Sequence, residues 1–173
     1  FGNLRIEAGA YVDDRGPRIP VCLHAGDLIG HGLLRGVDAI LPTLDLAARY
    51  GYHCVRSWFQ LEITTGTWLP GPTTHGWDPR DNPGRFVEIL QAGAARGLKW
   101  NLAAGGIKGL SNGDEDQLFD LVASAIDQVG AVHFVQVVGG NEIRDTGDGD
   151  DQDPRELERL VNRVRGRHPG ILY

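Results

Sequence analysis

The sequence lacks the features that would place it in several common classes of protein. It contains no run of about 18 apolar residues of the kind that spans a membrane. It has 17 basic against 23 acidic residues, a formal net charge of −6, so we expect neither nucleic acid nor a membrane as a partner. Glycine-rich phosphate-binding motifs and the G-x-S-x-G nucleophile elbow are absent as well, which gives no support to nucleotide binding or to nucleophile-elbow chemistry.

Methionine is also absent from all 173 residues, and the chain begins FGNLRIEAG. We therefore expect a segment of a longer protein rather than a complete translation product. The length is enough for one domain with a hydrophobic core.

Cysteine is scarce, with only Cys22 and Cys54, each inside an apolar strand-like segment. Two thiols cannot close a zinc site, which needs four ligands. The expectation is a pair of buried thiols that act as small hydrophobic side chains. A disulfide between neighbouring strands remains open as the alternative.

Strand-like and helix-like segments alternate along the rest of the chain. A hairpin with its turn at Asp13 to Pro17 leads into a strand at about Ile19–Leu23. Three further strands are predicted in HCVRSWF, LKWNLAA and VHFVQVV. Helical spacing runs from about residue 36 to residue 50, where Pro42 predicts an irregular first turn. It recurs in PGRFVEILQAGAARG, DEDQLFDLVASAIDQVG and PRELERLVNRVRGRHPG, and the final ILY predicts the start of a fifth strand.

This order predicts an α/β protein of parallel βα units, because apolar strands that alternate with helices form a parallel sheet covered by helices. An open, doubly wound sheet and the first half of a TIM (β/α)₈ barrel with an N-terminal β-hairpin both fit. The interrupted fifth strand favours the barrel. Residues 1–173 are then a single domain segment, an N-terminal half-barrel with strands 1–4 and the start of strand 5, and the C-terminal half is missing.

Polar and aromatic residues gather at the carboxyl ends of the predicted strands, where such folds bind ligands. The candidates, in chain order, are His24, Asp27, Arg56, Ser57, Trp58, Asn101, Asn141 and Glu142, with Trp68, His75 and Trp77 in the long loop after the second strand. Each has a structural alternative: an ion pair for Arg56, a satisfied loop position for His24, and a surface or helix-entry carboxylate for Glu142. The acidic loop after Glu142 is expected to be solvated, because its aspartates lack the spacing of a calcium loop.

Three motifs at successive strands together resemble a known family. They are AGAYVDDRGPRIPV in the opening hairpin, CVRSWF in the second strand and GGNE after the fourth. This combination is similar to the cellulase-like clan A of (β/α)₈ glycoside hydrolases, which are retaining enzymes. The chain departs from the family pattern at Ile143, where many members have proline, and in LAAGG, which lacks the aromatic or histidine residues common at the end of the third strand.

The resemblance implies a retaining glycoside hydrolase that cleaves a glycosidic bond of a poly- or oligosaccharide. It makes Glu142 the general acid/base and Asn141 the ligand of the sugar 2-hydroxyl. It implies that Arg56 supports the nucleophile, a glutamate at the end of strand seven and so outside this chain. Trp58, Trp68 and Trp77 are expected to stack on sugars, and His24 completes the substrate-binding candidates.

No metal and no organic cofactor is implied, and the partners are the carbohydrate and the C-terminal half of the same barrel. The alternatives are a non-catalytic carbohydrate-binding or structural domain with a degenerate barrel, and a complete open α/β domain that binds a small ligand.

Overall fold

A computed structural model of the chain describes residues 5–7, 10–13, 16–17, 20–60, 77–104, 112–138 and 154–171. The described strands form two sheets. The first is an antiparallel sheet of β1 (Arg5–Glu7), β2 (Ala10–Asp13) and β3 (Gly16–Pro17), which confirms the predicted opening hairpin. The second is a parallel sheet of β4 (Cys22–His24), β5 (Cys54–Gln60), β6 (Lys99–Ala104) and β7 (Phe134–Val138).

The order of the parallel strands in space is β4-β5-β6-β7, the same as their order in the chain. A doubly wound sheet places its first strand in the interior and reverses direction at a switch point. A (β/α)₈ barrel instead adds each strand beside the preceding one. The observed order is therefore that of the opening part of a barrel and excludes the open doubly wound alternative.

Five helices accompany the described strands. Their bounds are α1 (Leu28–Arg35), α2 (Leu41–Arg49), α3 (Pro83–Ala94), α4 (Asn112–Val129) and α5 (Pro154–Arg165). The irregular start predicted from Pro42 is confirmed, since a short 3₁₀ turn at Val37–Ala39 precedes α2. Asn82 caps α3 by accepting a hydrogen bond from the Arg85 backbone N–H at 3.1 Å.

Helix α1 was not predicted, because Gly30 and Gly32 lower the helical propensity of its sequence LIGHGLLR. Both glycines are required by close packing. A Cβ at Gly30 would lie 2.4 Å from the Trp77 ring, and one at Gly32 would lie 2.6 Å from Ile89. Tertiary packing here takes precedence over local propensity.

The hydrophobic core lies between one face of the parallel sheet and the helices. Phe59 and Trp100 of the sheet are fully buried there, as are Phe86 of α3 and Phe119 of α4. The rings of Phe59 and Phe119 meet edge to face with centroids 5.7 Å apart. The Trp100 Nε1 group donates a hydrogen bond to the Leu90 carbonyl at 2.9 Å, so this large side chain is satisfied as well as buried.

The expectation of two free thiols is wrong, because Cys22 and Cys54 form a disulfide. The two residues are direct partners in the register of β4 and β5, with Cα atoms 4.4 Å apart, within the range that a disulfide bridges. Cys54 is nevertheless fully buried. The apolar pattern predicted both strands but not the register between them. That register determines whether the two cysteines are close enough to form a disulfide.

Candidate functional site

A polar row crosses the parallel sheet at one level. His24, Arg56, Asn101 and Gln136 are successive Cα partners across β4, β5, β6 and β7. Partners in a sheet project to the same face, and neighbours along a strand project to opposite faces. Val55, directly before Arg56, belongs to the hydrophobic core. The polar row therefore lies on the face of the sheet that is turned away from the helices, which is the inner face of a barrel.

Two amides of the polar row interact directly. Asn101 Nδ2 donates a hydrogen bond to Gln136 Oε1 at 3.1 Å. The other polar atom of this amide, Asn101 Oδ1, is buried and has no hydrogen-bond partner within the part of the chain that the structure describes. The four parallel strands contain no aspartate or glutamate. A carboxylate that acts at the polar row therefore has to come from outside these four strands.

Trp58 lies two residues beyond Arg56, toward the carboxyl end of β5. Its ring packs on the backbone of Gly26, where an added Cβ would lie 3.1 Å from the ring. The His24 ring meets it edge to face, with centroids 6.2 Å apart and planes at 77°. Trp58 Nε1 is buried and, in the described ranges, has no acceptor. His24 and Trp58 thus lie together at the carboxyl end of β4, and Arg56 is beside His24 in the register, nearer the amino end of β5 than Trp58.

Ser57, another strand-end candidate, has a structural role. Its side chain is fully buried on the opposite face from Arg56. Its Oγ donates to the Gly26 carbonyl at 2.9 Å and accepts from the Ile29 backbone N–H at 3.2 Å. The hydroxyl therefore fastens the first turn of α1 to β5. Asp27 is exposed directly before α1 and makes no side-chain capping bond to it.

The stacking role expected of Trp77 does not fit the structure. Its side chain is 8% exposed and belongs to the hydrophobic core, against Gly30 of α1. A ring packed in this way has no face free for a sugar. Trp77 therefore has a structural role, packed against α1.

Four candidates lie outside the described residues: Trp68, His75, Asn141 and Glu142. Asn141 and Glu142 follow Val138, the last residue of β7, by three and four positions in the sequence. The start of the fifth strand at ILY is described only as far as Ile171. These predictions stay predictions.

Sequence reasoning missed Gln136 and Gln60. Gln136 is the only polar residue of β7, and that interruption of an apolar run was the available signal. Gln60, the last residue of β5, is 2% exposed, and its Oε1 has no partner in the part of the chain that the structure describes. Amides inside apolar strands therefore point to the polar interior of this fold.

The amino end of the sheet is chemically different. Lys99 opens β6 beside Cys54, and its Nζ donates to the Val132 carbonyl. Burial lowers the pKa of the Lys99 ammonium group, because a low-dielectric environment disfavours the charged form. Since ligands bind at the carboxyl ends of the strands in this fold, Lys99 lies at the wrong end to act on a substrate there.

The described ranges contain neither a metal-binding cluster nor a membrane-spanning helix. No group of three or more histidine, cysteine, aspartate or glutamate side chains has the arrangement of a metal site in the described residues. None of the helices described is both long enough and apolar enough to cross a membrane.

Comparison with solved structures identifies the class of fold. An endocellulase from Pyrococcus horikoshii in complex with cellotetraose matches with a TM-score of 0.61 at 12% identity, over 99% of this chain and 56% of that chain. An endo-1,4-β-mannanase from Rhizomucor miehei matches with a TM-score of 0.58 at 14% identity, over 98% and 59%. GH5_18 from Streptomyces cattleya in complex with GlcNAc matches with a TM-score of 0.54 at 18% identity, over 89% and 42%.

The chain therefore has the fold of the first half of a glycoside hydrolase barrel, and it spans 42–59% of the length of these three structures. The resemblance to clan A is confirmed at the level of the fold. No protein-family model matches the sequence, and no curated protein matches it.

Proposed function

We propose that this chain supplies the first half of a retaining glycoside hydrolase, with Glu142 as the general acid/base and the nucleophile in the second half of the barrel. The observation that carries the proposal is the position of Arg56. It stands in the polar row on the inner face of the sheet, at the second strand, where the clan A resemblance expects an arginine that supports the nucleophile. The fold shared with the endocellulase and the mannanase supports the same assignment.

Retaining hydrolysis needs two carboxyl groups about 5–5.5 Å apart, one on each side of the scissile bond. The nucleophile has to stay ionised, and a guanidinium within about 4–6 Å favours the ionised form. The acid/base partner has to hold a proton for the leaving oxygen and later take one from water. Arg56 serves the first requirement in this proposal and Glu142 the second, while Asn141 binds the 2-hydroxyl.

His24 and Trp58 are proposed to line the substrate site beside this machinery. An aromatic ring offers an apolar face to the C–H side of a sugar, and the indole N–H offers a donor. Trp58 Nε1 is a buried donor that lacks an acceptor among the described residues, so a sugar hydroxyl is a suitable partner for it.

The second half of the barrel is the proposed partner of the exposed edge of the sheet. β4 lies at one edge of the described parallel sheet, and Val21 before it is 51% exposed. An open groove of about 540 Å³ runs beside this edge, lined mainly by apolar side chains of the β4 segment and α2, including Leu46 and Tyr50. In a closed barrel the last strand and the last helix cover this position, which removes both the open edge and the apolar surface.

The test uses the complete protein, meaning this chain together with the rest of the barrel. Glu142→Gln is expected to lower turnover of a β-linked glycan about 10²–10⁴-fold while the sugar still binds. Glu88→Gln, which removes an exposed carboxylate of α3, is the matched control and is expected to be fully active. Residues 1–173 alone are expected to be inactive, with activity restored by the second half supplied as a separate chain. Undiminished turnover by Glu142→Gln would refute the assignment.

A second candidate is a non-catalytic carbohydrate-binding domain on a degenerate barrel. One observation favours it: β6 ends in Ala103 and Ala104, both fully buried, and offers no polar side chain at its carboxyl end. This candidate predicts sugar binding without turnover in the wild-type complete protein, which the same assay detects.

A further inference from the structure

Lys99 is a buried cation without an anionic partner among the described residues. Its side chain is 9% exposed, and its Nζ donates a hydrogen bond to the Val132 carbonyl. An ammonium group carries three donors and a full charge, which one neutral carbonyl does not balance. Lysine is almost never buried unless it is paired, because an unpaired charge is costly to remove from water.

The sheet register places Lys99 on the inner face of the sheet, at its amino end. Lys99 is the Cα partner of Cys54, which is bonded to Cys22 on the next strand. Trp100, the residue after Lys99, belongs to the hydrophobic core on the helix face, and neighbours along a strand project to opposite faces. Because a closed barrel turns this inner face toward strands five to eight, the second half covers Lys99.

The strands around Lys99 supply no negative charge. The four parallel strands contain no aspartate or glutamate, and Cys22 and Cys54 form no thiolate because they are joined in the disulfide. The residues directly before β5 and β7 are His53 and His133, and a histidine ring is neutral or positive. Burial alone lowers the pKa of the Lys99 ammonium group, with no nearby charge to oppose it.

Closing the barrel makes the environment of this charge less polar still. Val132, whose carbonyl binds Lys99, is 52% exposed, so the Nζ lies near the surface of this half. When the second half covers the inner face, water is displaced from the ammonium group. A charge in a low-dielectric interior then needs an opposite charge in good hydrogen-bonding geometry, and a carboxylate provides both the charge and the acceptors.

We propose that Lys99 forms an interior ion pair with an aspartate or glutamate that the second half of the barrel contributes near the amino ends of its strands. The carboxylate accepts hydrogen bonds from the donors that the Val132 carbonyl leaves unused. The pair also specifies how the two halves align, because a misaligned half leaves both charges buried and unpaired. The inference rests on the proposed function only in that a second half closes the barrel.

The first test is Lys99→Met in the complete protein, which keeps the apolar stem and removes the charge. The unfolding equilibrium constant from urea titration is expected to rise at least about 100-fold, because the carboxylate is left buried and unpaired. A lysine that binds only the Val132 carbonyl predicts the opposite, since replacing a buried charge by an apolar group is then neutral or stabilising. Unchanged or increased stability of Lys99→Met would overturn the proposal. Arg49→Met, which removes an exposed cation from the last turn of α2, is the matched control and is expected to change the constant less than about five-fold.

Double-mutant cycles identify the source of the carboxylate. Each aspartate and glutamate near the amino ends of strands five to eight is replaced by its amide, alone and together with Lys99→Met. One of them is expected to show a coupling of at least about ten-fold in the unfolding constant. Coupling of Lys99 to Glu7 or Asp13 of the opening hairpin, with none to the second half, is incompatible with the proposal.

An NMR titration of the wild-type protein decides the question should Lys99→Met fail to fold. The side-chain carbons of ¹³C-labelled lysine report each ammonium group, and Lys99→Arg assigns the signal of Lys99. Because a paired carboxylate favours the charged form, the pKa of Lys99 in the complete protein is expected within or above the usual lysine range. A lowered pKa would mean burial without a partner and would refute the ion pair. Turnover by Glu142→Gln is measured in parallel: retained turnover refutes the catalytic assignment alone, and negative Lys99 results beside an inactive Glu142→Gln refute the ion pair alone.

Discussion

The two faces of the parallel sheet differ in whether their buried polar groups have hydrogen-bond partners. On the helix face, Trp100 is fully buried and its Nε1 donates to Leu90, while the buried Ser57 hydroxyl both donates and accepts. On the other face, buried polar atoms of Asn101 and Trp58 have no partner among the described residues. Adjacent residues of one strand, such as Trp100 and Asn101, therefore belong to two environments.

This difference separates stability from function along the same strands. Apolar burial at about 25 cal/mol per Å² is the main favourable term in folding, and it is concentrated on the helix face. A buried amide oxygen without a donor lowers stability by about 1–3 kcal/mol until a partner reaches it. In the proposed function, a ligand and the rest of the barrel supply the partners that the inner face lacks among the described residues.

Replacing Trp100 with alanine should have the largest effect on stability, because it disrupts the packing on the helix face. The change removes a fully buried ring and is expected to lower the free energy of unfolding of the complete protein by about 3–5 kcal/mol. Asn101→Ala, the neighbouring position on the inner face, should cost less than about 1 kcal/mol, because only one described hydrogen bond is lost. Urea unfolding curves measure both, and equal losses would contradict the separation of the two faces.

The disulfide gives the inner face a covalent source of stability. Cys22 and Cys54 each lie two residues before a member of the polar row, His24 and Arg56, and so share its face. The bond joins positions separated by 32 residues, and a loop of that length corresponds to about 3–4 kcal/mol in the chain-entropy account. The double variant Cys22→Ser/Cys54→Ser should lose about that much stability in urea. Reduction should affect the wild type and leave the double variant unchanged; an equal response of both to a reductant would show that the stabilisation has another origin.

Much of the fold could be predicted from the sequence, because it depends on patterns that are visible locally. Apolar strands alternating with amphipathic helices gave all four parallel strands, and the structure confirms them. Helix α1 was not predicted because Gly30 and Gly32 are needed for close packing against Trp77 and Ile89, which are distant in the sequence. The disulfide was not predicted because it depends on the register between two strands, which the sequence of a single strand does not show.

The candidate site shows the same limit. The strand-end rule selected His24, Arg56 and Trp58; the rings of His24 and Trp58 meet in the structure, and Arg56 is the register partner of His24. It also selected Ser57, which faces the helices, and left Gln136 out. Side chains alternate between the two faces of a strand, so Ser57 points to the opposite face from Arg56 and Trp58. The sequence alone does not show which of these faces is turned toward the helices. Asn141 and Glu142 lie outside the described residues and remain predictions.

The smallest expected effect on stability concerns an ion pair on the outer surface of the helix layer. Arg163 of α5 binds Asp120 of α4 through two hydrogen bonds of 2.9 and 2.5 Å. This hydrogen-bonded guanidinium holds the pKa of the Asp120 carboxyl below its usual range. A carboxyl whose pKa is depressed in the folded state stabilises the protein above its unfolded pKa, and this contribution is lost as the pH falls through the folded value. The pair should therefore stabilise the protein at neutral pH and lose its effect below about pH 4.

Asp120→Asn should consequently lower the free energy of unfolding at pH 7 by no more than about 1 kcal/mol, because half of the Asp120 side chain is exposed and solvent screens the pair. The difference from the wild type should shrink as the pH falls below about 4. Asp38→Asn, which removes an exposed carboxylate from the turn before α2, controls for the change in net charge. Urea unfolding at several pH values tests the idea. A loss comparable with that of Trp100→Ala would mean that ion pairs outside the helices, rather than apolar packing against the sheet, hold this layer in place.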